Sequence, residues 1–136
     1  MRDKFDPFKE HINTAEALFS NGLSRVHLKL NHYWISYVEN ETLEKKFMQK
    51  KRELQDAGRD ASEVLLFHGT KACNTDTICR MNFSLARCRS PRRAIYLSRD
   101  PIKSLSYGDD LILCRVLPGL KLKSVDRGDY DRGTLP

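Results

Sequence analysis

Five residues spread over one 40-odd-residue stretch have the types and spacing to form a single pocket. His68, Gly69 and Thr70 follow directly on the apolar run Val64-Leu65-Leu66-Phe67, which places a polar, sterically open tripeptide at the end of an expected buried strand. Further on, Tyr96 lies in the apolar stretch Ala94-Ile95-Tyr96-Leu97, and Asp100-Pro101 reads as a helix N-cap with proline at the first helical position. A helix begun there brings Ser104 and Tyr107 onto one face. Two tyrosines can stack on a flat ring. A glycine lets a ligand reach backbone N–H and C=O, while a serine hydroxyl and an imidazole supply further hydrogen bonds. Taken singly, each residue has a plainer use: a histidine bonded to backbone, half-buried tyrosines, a turn glycine and an exposed serine.

Their order is what makes them more than that. HGT, then the Ile95-Tyr96-Leu97-Ser98 segment, then serine and tyrosine eight and eleven residues after Tyr96, resembles the catalytic domain of the poly(ADP-ribose) polymerase (PARP) family. Upstream, Tyr37-Val38-Glu39-Asn40, residues 43–47 and residues 50–54 continue the resemblance, as does the apolar segment 111–119 downstream. It covers roughly residues 26–119.

The resemblance implies an α+β, incomplete ADP-ribosyltransferase fold with a mixed sheet and short helices. It also implies NAD as ADP-ribose donor, transfer to an acceptor, usually a protein, and release of nicotinamide. In that family the HGT glycine, the serine and the second tyrosine hold nicotinamide. The histidine bonds the adenosine ribose, and the strand tyrosine completes the stack. Carried over, the donor-binding set is His68, Gly69, Tyr96, Ser104 and Tyr107, with His68 and Tyr96 as the catalytic pair. Cleavage of the glycosidic bond builds oxocarbenium-like charge on the ribose.

Two departures stand out. Arg92-Arg93-Ala94 replaces the family's glycines before the strand tyrosine, and no segment after Arg115 resembles the later strand that carries the third catalytic position. Asp126, Asp129 and Asp131 are therefore not assigned to it. Two alternatives follow: a catalytically inactive PARP-like module that binds protein or RNA, and a basic nucleic-acid-binding domain, for which no recognised motif is present.

The totals set outer bounds. At 136 residues the chain is one domain at most, and 40% apolar composition with periodic segments argues a folded chain. The segments expected are a helical stretch over 1–22, the PARP-like core over 23–120, and a polar tail over 121–136 where the fold is cut short. A net charge of +6 permits acidic partners, either nucleotide phosphates or nucleic acid on the basic surface. Cys73, Cys79 and Cys88 lie near His68 in sequence, but their spacing matches no zinc finger and no metal is expected. No apolar leader and no run of about 18 apolar residues is present, so neither signal peptide nor membrane span is expected. The thiols are then reduced, in nucleus or cytoplasm. The oligomeric state is left open.

The elements that must position the pocket read as follows. Phe8, Ile12, Ala15 and Phe19 fall at helical spacing, with a stop at Asn21-Gly22. Val26, Leu28 and Leu30, then Tyr33, Ile35 and Tyr37, alternate as strands with a slip between; Trp34 is expected to pack, and His27 and His32 to be exposed. Asn40 caps a helix over 41–57, closed by Gly58, with Leu43, Phe47 and Leu54 inward and Lys45, Lys46, Lys50, Lys51 and Arg52 on its solvated face. A buried strand over 63–67, a short helix over 75–81, a basic loop over 84–93, a strand over 94–97, a helix over 101–107 and a strand over 111–117 complete the core. Arg87, Arg89, Arg92 and Arg93 in the loop suit a diphosphate. Arg115, inside a strand, has to reach water or a carboxylate, and Cys114 reads as a small core residue.

Overall fold

A computed structural model describes residues 7–27, 30, 33–87 and 94–119. Helix α1 spans Pro7–Ser24, with Phe19, Gly22 and Leu23 buried. The expected stop at Gly22 is not there. Gly22 lies within the helix because a β-carbon on it would stand 2.3 Å from Cγ of Pro101, so the missing side chain serves close approach. The chain leaves the helix at His27, with φ 55°.

Residues 33–39 form no strand among the described residues. Their alternation records docking on α1 instead. Tyr33 meets Phe19 edge-on at 5.0 Å, and Tyr37 meets Phe8 at 4.8 Å and stacks on His11 at 5.2 Å. Tyr33 and Tyr37 thus face α1, and Trp34, on the other phase, is 96% exposed. The expectation that Trp34 packs is overturned. Val26 sits in the turn after α1, while Leu28 and His32 lie outside the described residues.

Helix α2 spans Glu41–Asp56. Asn40 Oδ1 accepts from the Leu43 N–H at 3.1 Å, as an N-cap does. Its Nδ2 also donates to the Cys79 and Arg80 carbonyls, at 3.1 and 3.0 Å. Those carbonyls belong to the last turn of α3, Ala72–Met81, so a single amide joins the start of one helix to the end of another. Gly58, φ 68°, follows α2 where sequence placed its stop.

Strand β1, Val64–Thr70, pairs antiparallel with β2, Asp110–Val116, in the register Phe67↔Leu113 and His68↔Ile112. The HGT tripeptide therefore lies inside β1, where sequence put it just beyond the strand. Residues 94–97 are not a strand: a single antiparallel bridge joins Phe67 to Ser98, and no ladder continues from it. Helix α4, Pro101–Leu105, starts on the Asp100 cap, whose carboxylate accepts from Ile102 N–H at 3.0 Å. It ends two residues before Tyr107, which sits in the following turn.

Phe19, Leu23 and Phe67 form the core cluster, with Ile102, Leu105, Leu111 and Leu113 packed against it. This α+β arrangement wedges α4 between α1 and the sheet, and α4 carries Ser104. Arg115 finds its carboxylate: Nε donates to Glu63 Oε1 at 2.9 Å, Nη2 bonds the same oxygen, and the guanidinium lies 4.6 Å over the Phe47 ring. No described helix is long and apolar enough to cross a membrane.

Candidate functional site

The site is built on a fork. Phe67 N–H donates to Ser98 C=O at 2.7 Å and Ser98 N–H returns to Phe67 C=O at 2.9 Å, so the Phe67 backbone points away from β2. Alternation in an antiparallel ladder then points the N–H and C=O of Gly69 to the same outer edge. Extending the Phe67↔Ser98 register by two residues would set Gly69 opposite Tyr96, yet no pairing continues there. Among the described residues nothing outside the sheet bonds the Gly69 backbone, although Gly69 is buried. A buried N–H and C=O left side by side form a donor–acceptor pair suited to a carboxamide.

What surrounds that pair is set by α4. A β-carbon on Gly69 would lie 1.6 Å from the Ser104 carbonyl oxygen, so only glycine lets α4 sit this close to β1. Ser104 is 3% exposed, and its hydroxyl donates to Phe67 C=O at 3.0 Å. That carbonyl accepts from both Ser98 and Ser104, and the serine pins α4 to the fork. Tyr96 and Tyr107 face each other as near-parallel rings, 8° apart in plane with centroids 5.7 Å apart. Tyr107 is 54% exposed and forms the solvent side of the pair.

His68 projects from β1 on the face opposite Gly69. Its Nδ1 lies 2.9 Å from the Tyr96 carbonyl. A carbonyl only accepts, so Nδ1 carries a proton, and in the neutral form of the ring Nε2 keeps an acceptor lone pair. Phe83 stands edge-on to the imidazole, 4.7 Å away at 76°. Sequence reasoning missed Phe83, because one apolar residue after a helix carries no signal of what it touches. Two nearby carboxylates are already engaged: Asp100 caps α4, and Asp110 accepts from the Thr75 hydroxyl at 2.6 Å.

The structure thus brings Gly69, Ser104, Tyr96 and Tyr107 around one fork, with His68 tied to it through the Tyr96 carbonyl. Cys73 is exposed and Cys79 half-buried, while Cys88 and the loop arginines Arg89, Arg92 and Arg93 lie outside the described residues. Among the described residues no three His, Cys, Asp or Glu side chains gather as a metal site.

Comparison with known proteins gives the class to which this α+β scaffold belongs. Residues 9–127 match the poly(ADP-ribose) polymerase catalytic domain, and the chain belongs to that family. It is 31% identical over 133 residues to Protein TASOR of Homo sapiens, a match covering 87% of this chain and 8% of that protein. The chain therefore spans a small part of the relative's length.

Proposed function

We propose that this domain binds NAD by its nicotinamide end and transfers ADP-ribose to an acceptor, with protein the acceptor class the family suggests. The observation that carries this reading is the N–H and C=O of Gly69 at the fork, unpaired among the described residues, which match the carboxamide's acceptor and donor. Tyr96 and Tyr107 stack on the ring, Ser104 bonds the carboxamide, and His68 Nε2 accepts from a ribose hydroxyl. With the ribose held, loss of nicotinamide leaves an oxocarbenium-like centre open to the acceptor's nucleophile.

Two changes must accompany binding. A ring sandwiched between the tyrosines needs centroids about 7 Å apart, twice the ~3.5 Å contact distance, against the 5.7 Å found. The Ser104 hydroxyl must also turn from Phe67 C=O. Giving up one aromatic contact and one hydrogen bond costs roughly 2 kcal/mol, a factor of about 30 in affinity. Binding is weakened by this and not forbidden.

The closed tyrosine pair also favours a second reading, in which the domain keeps the fold without turning over NAD and serves as a protein or RNA interaction module. Incubation with labelled NAD separates the two. Transfer predicts label on protein, abolished by His68→Ala and reduced by Tyr107→Ala. Absence of label together with absence of nicotinamide binding sinks the transferase reading.

A further inference from the structure

His68 is held from two sides, and only one of them is visible from the family motif. The Tyr96 carbonyl accepts from Nδ1 at 2.9 Å, and the Phe83 ring stands near-perpendicular to the imidazole at 4.7 Å. Phe83 is brought there by an unusual backbone. Asn82, just after α3, has φ 73° and ψ 173°, a combination glycine enters freely and asparagine does not. Its N–H donates to Ile78 C=O at 2.8 Å, and its side-chain Oδ1 accepts from the Phe83 N–H at 2.8 Å. The polar side chain thus bonds the very residue that the kink redirects. No such geometry is needed to end a helix, since an ordinary glycine cap would do so without strain.

We propose that Phe83, aimed by Asn82, is a positioning residue that holds the His68 imidazole in the Nδ1–H tautomer with Nε2 presented as acceptor. This rests on the donor-site reading for its purpose, but not for its test. His68 is half-buried, and its ring has an alternative: rotation away from the Tyr96 carbonyl, which breaks the Nδ1 bond. The Phe83 ring, 4.7 Å from the imidazole, is the contact that opposes that rotation in this proposal. An aromatic edge against imidazole also favours one ring orientation over the others.

Nitrogen-15 NMR of the ligand-free protein at a pH where imidazole is neutral reads the tautomer directly. Wild type should show Nδ1–H as the dominant form of His68, identified by loss of its signals in His68→Ala. In Phe83→Ala and Phe83→Leu the Nε2–H form should change from minor to major while backbone amide spectra stay native-like; Phe83→Tyr should restore the wild-type pattern. Should Phe83→Ala fail to fold, Phe83→Leu decides alone. An Nδ1–H tautomer that persists in a folded Phe83 variant overturns the proposal. NAD is absent from the tautomer measurement, so failed NAD binding would sink the donor-site reading and leave this result standing.

Discussion

A methyl group added at Gly69 would sit 1.6 Å from the Ser104 carbonyl oxygen, a backbone atom that cannot swing aside. Gly69→Ala should therefore destabilise by about 3 kcal/mol, the upper end of ordinary overpacking, read as a lower urea midpoint. At Gly22 two effects oppose each other. Alanine gains about 1 kcal/mol of helix propensity, while overlap with Pro101 costs about 1–3 kcal/mol. Pro101 is fully buried and cannot yield, so Gly22→Ala should also destabilise. Cys114 tests burial through pH. Desolvation, with the Cys79 thiol adding to it, pushes its pKa from 9.0 up to about 12. A raised folded pKa means the stabilisation is complete below the unfolded value and is lost as pH climbs from 9.0 toward about 12. Cys114→Ala should flatten that alkaline loss in pH-dependent urea melts. Iodoacetamide at mildly alkaline pH should label exposed Cys73 well before Cys114.

Asn40 does two jobs, and substitutions can separate them. Asn40→Asp keeps the acceptor that caps α2 but loses the donors to the Cys79 and Arg80 carbonyls; Asn40→Ala loses both. Thermal melts should rank wild type above Asp and Asp above Ala, the alanine variant losing about 1–2 kcal/mol or somewhat more. A tie between wild type and Asp would show that the link to α3 contributes nothing. Glu63 ties the sheet to α2 through Arg115 and Lys51. Partial burial works to raise its pKa, but hydrogen bonds and charge from Arg115 and Lys51 outweigh it and the net shift is downward from 4.5. That stabilisation is present above 4.5 and lost as pH falls through the lower folded value, so Glu63→Gln should blunt the acid limb of the stability profile. At neutral pH a pair this accessible is worth about 0–1 kcal/mol. The cap of α2, its Gly58 stop and the Asp100-Pro101 start of α4 were legible because capping chemistry is local. The strand expected over residues 33–37 was not, because alternation looks the same whether a segment pairs in a sheet or docks on a helix. Trp34 was misplaced for that reason.

At the scale of the whole chain, the family could be read from the order of its segments, and the α+β class followed. The fork was less legible. Sequence put HGT after a strand and made 94–97 a strand, whereas the structure extends β1 through Thr70 and gives 94–97 no strand. Both differences come from where long-range pairing stops, and single-sequence patterns do not encode that. On the edge away from β2, pairing stops at Phe67, and among the described residues none reaches the Gly69 backbone there. A nicotinamide titration followed by amide NMR probes that edge directly. The account predicts a saturable shift of the Gly69 N–H, with Tyr107 ring signals moving in step and the response weakened in Tyr107→Ala. A Gly69 amide that does not move as nicotinamide reaches millimolar concentration would contradict it.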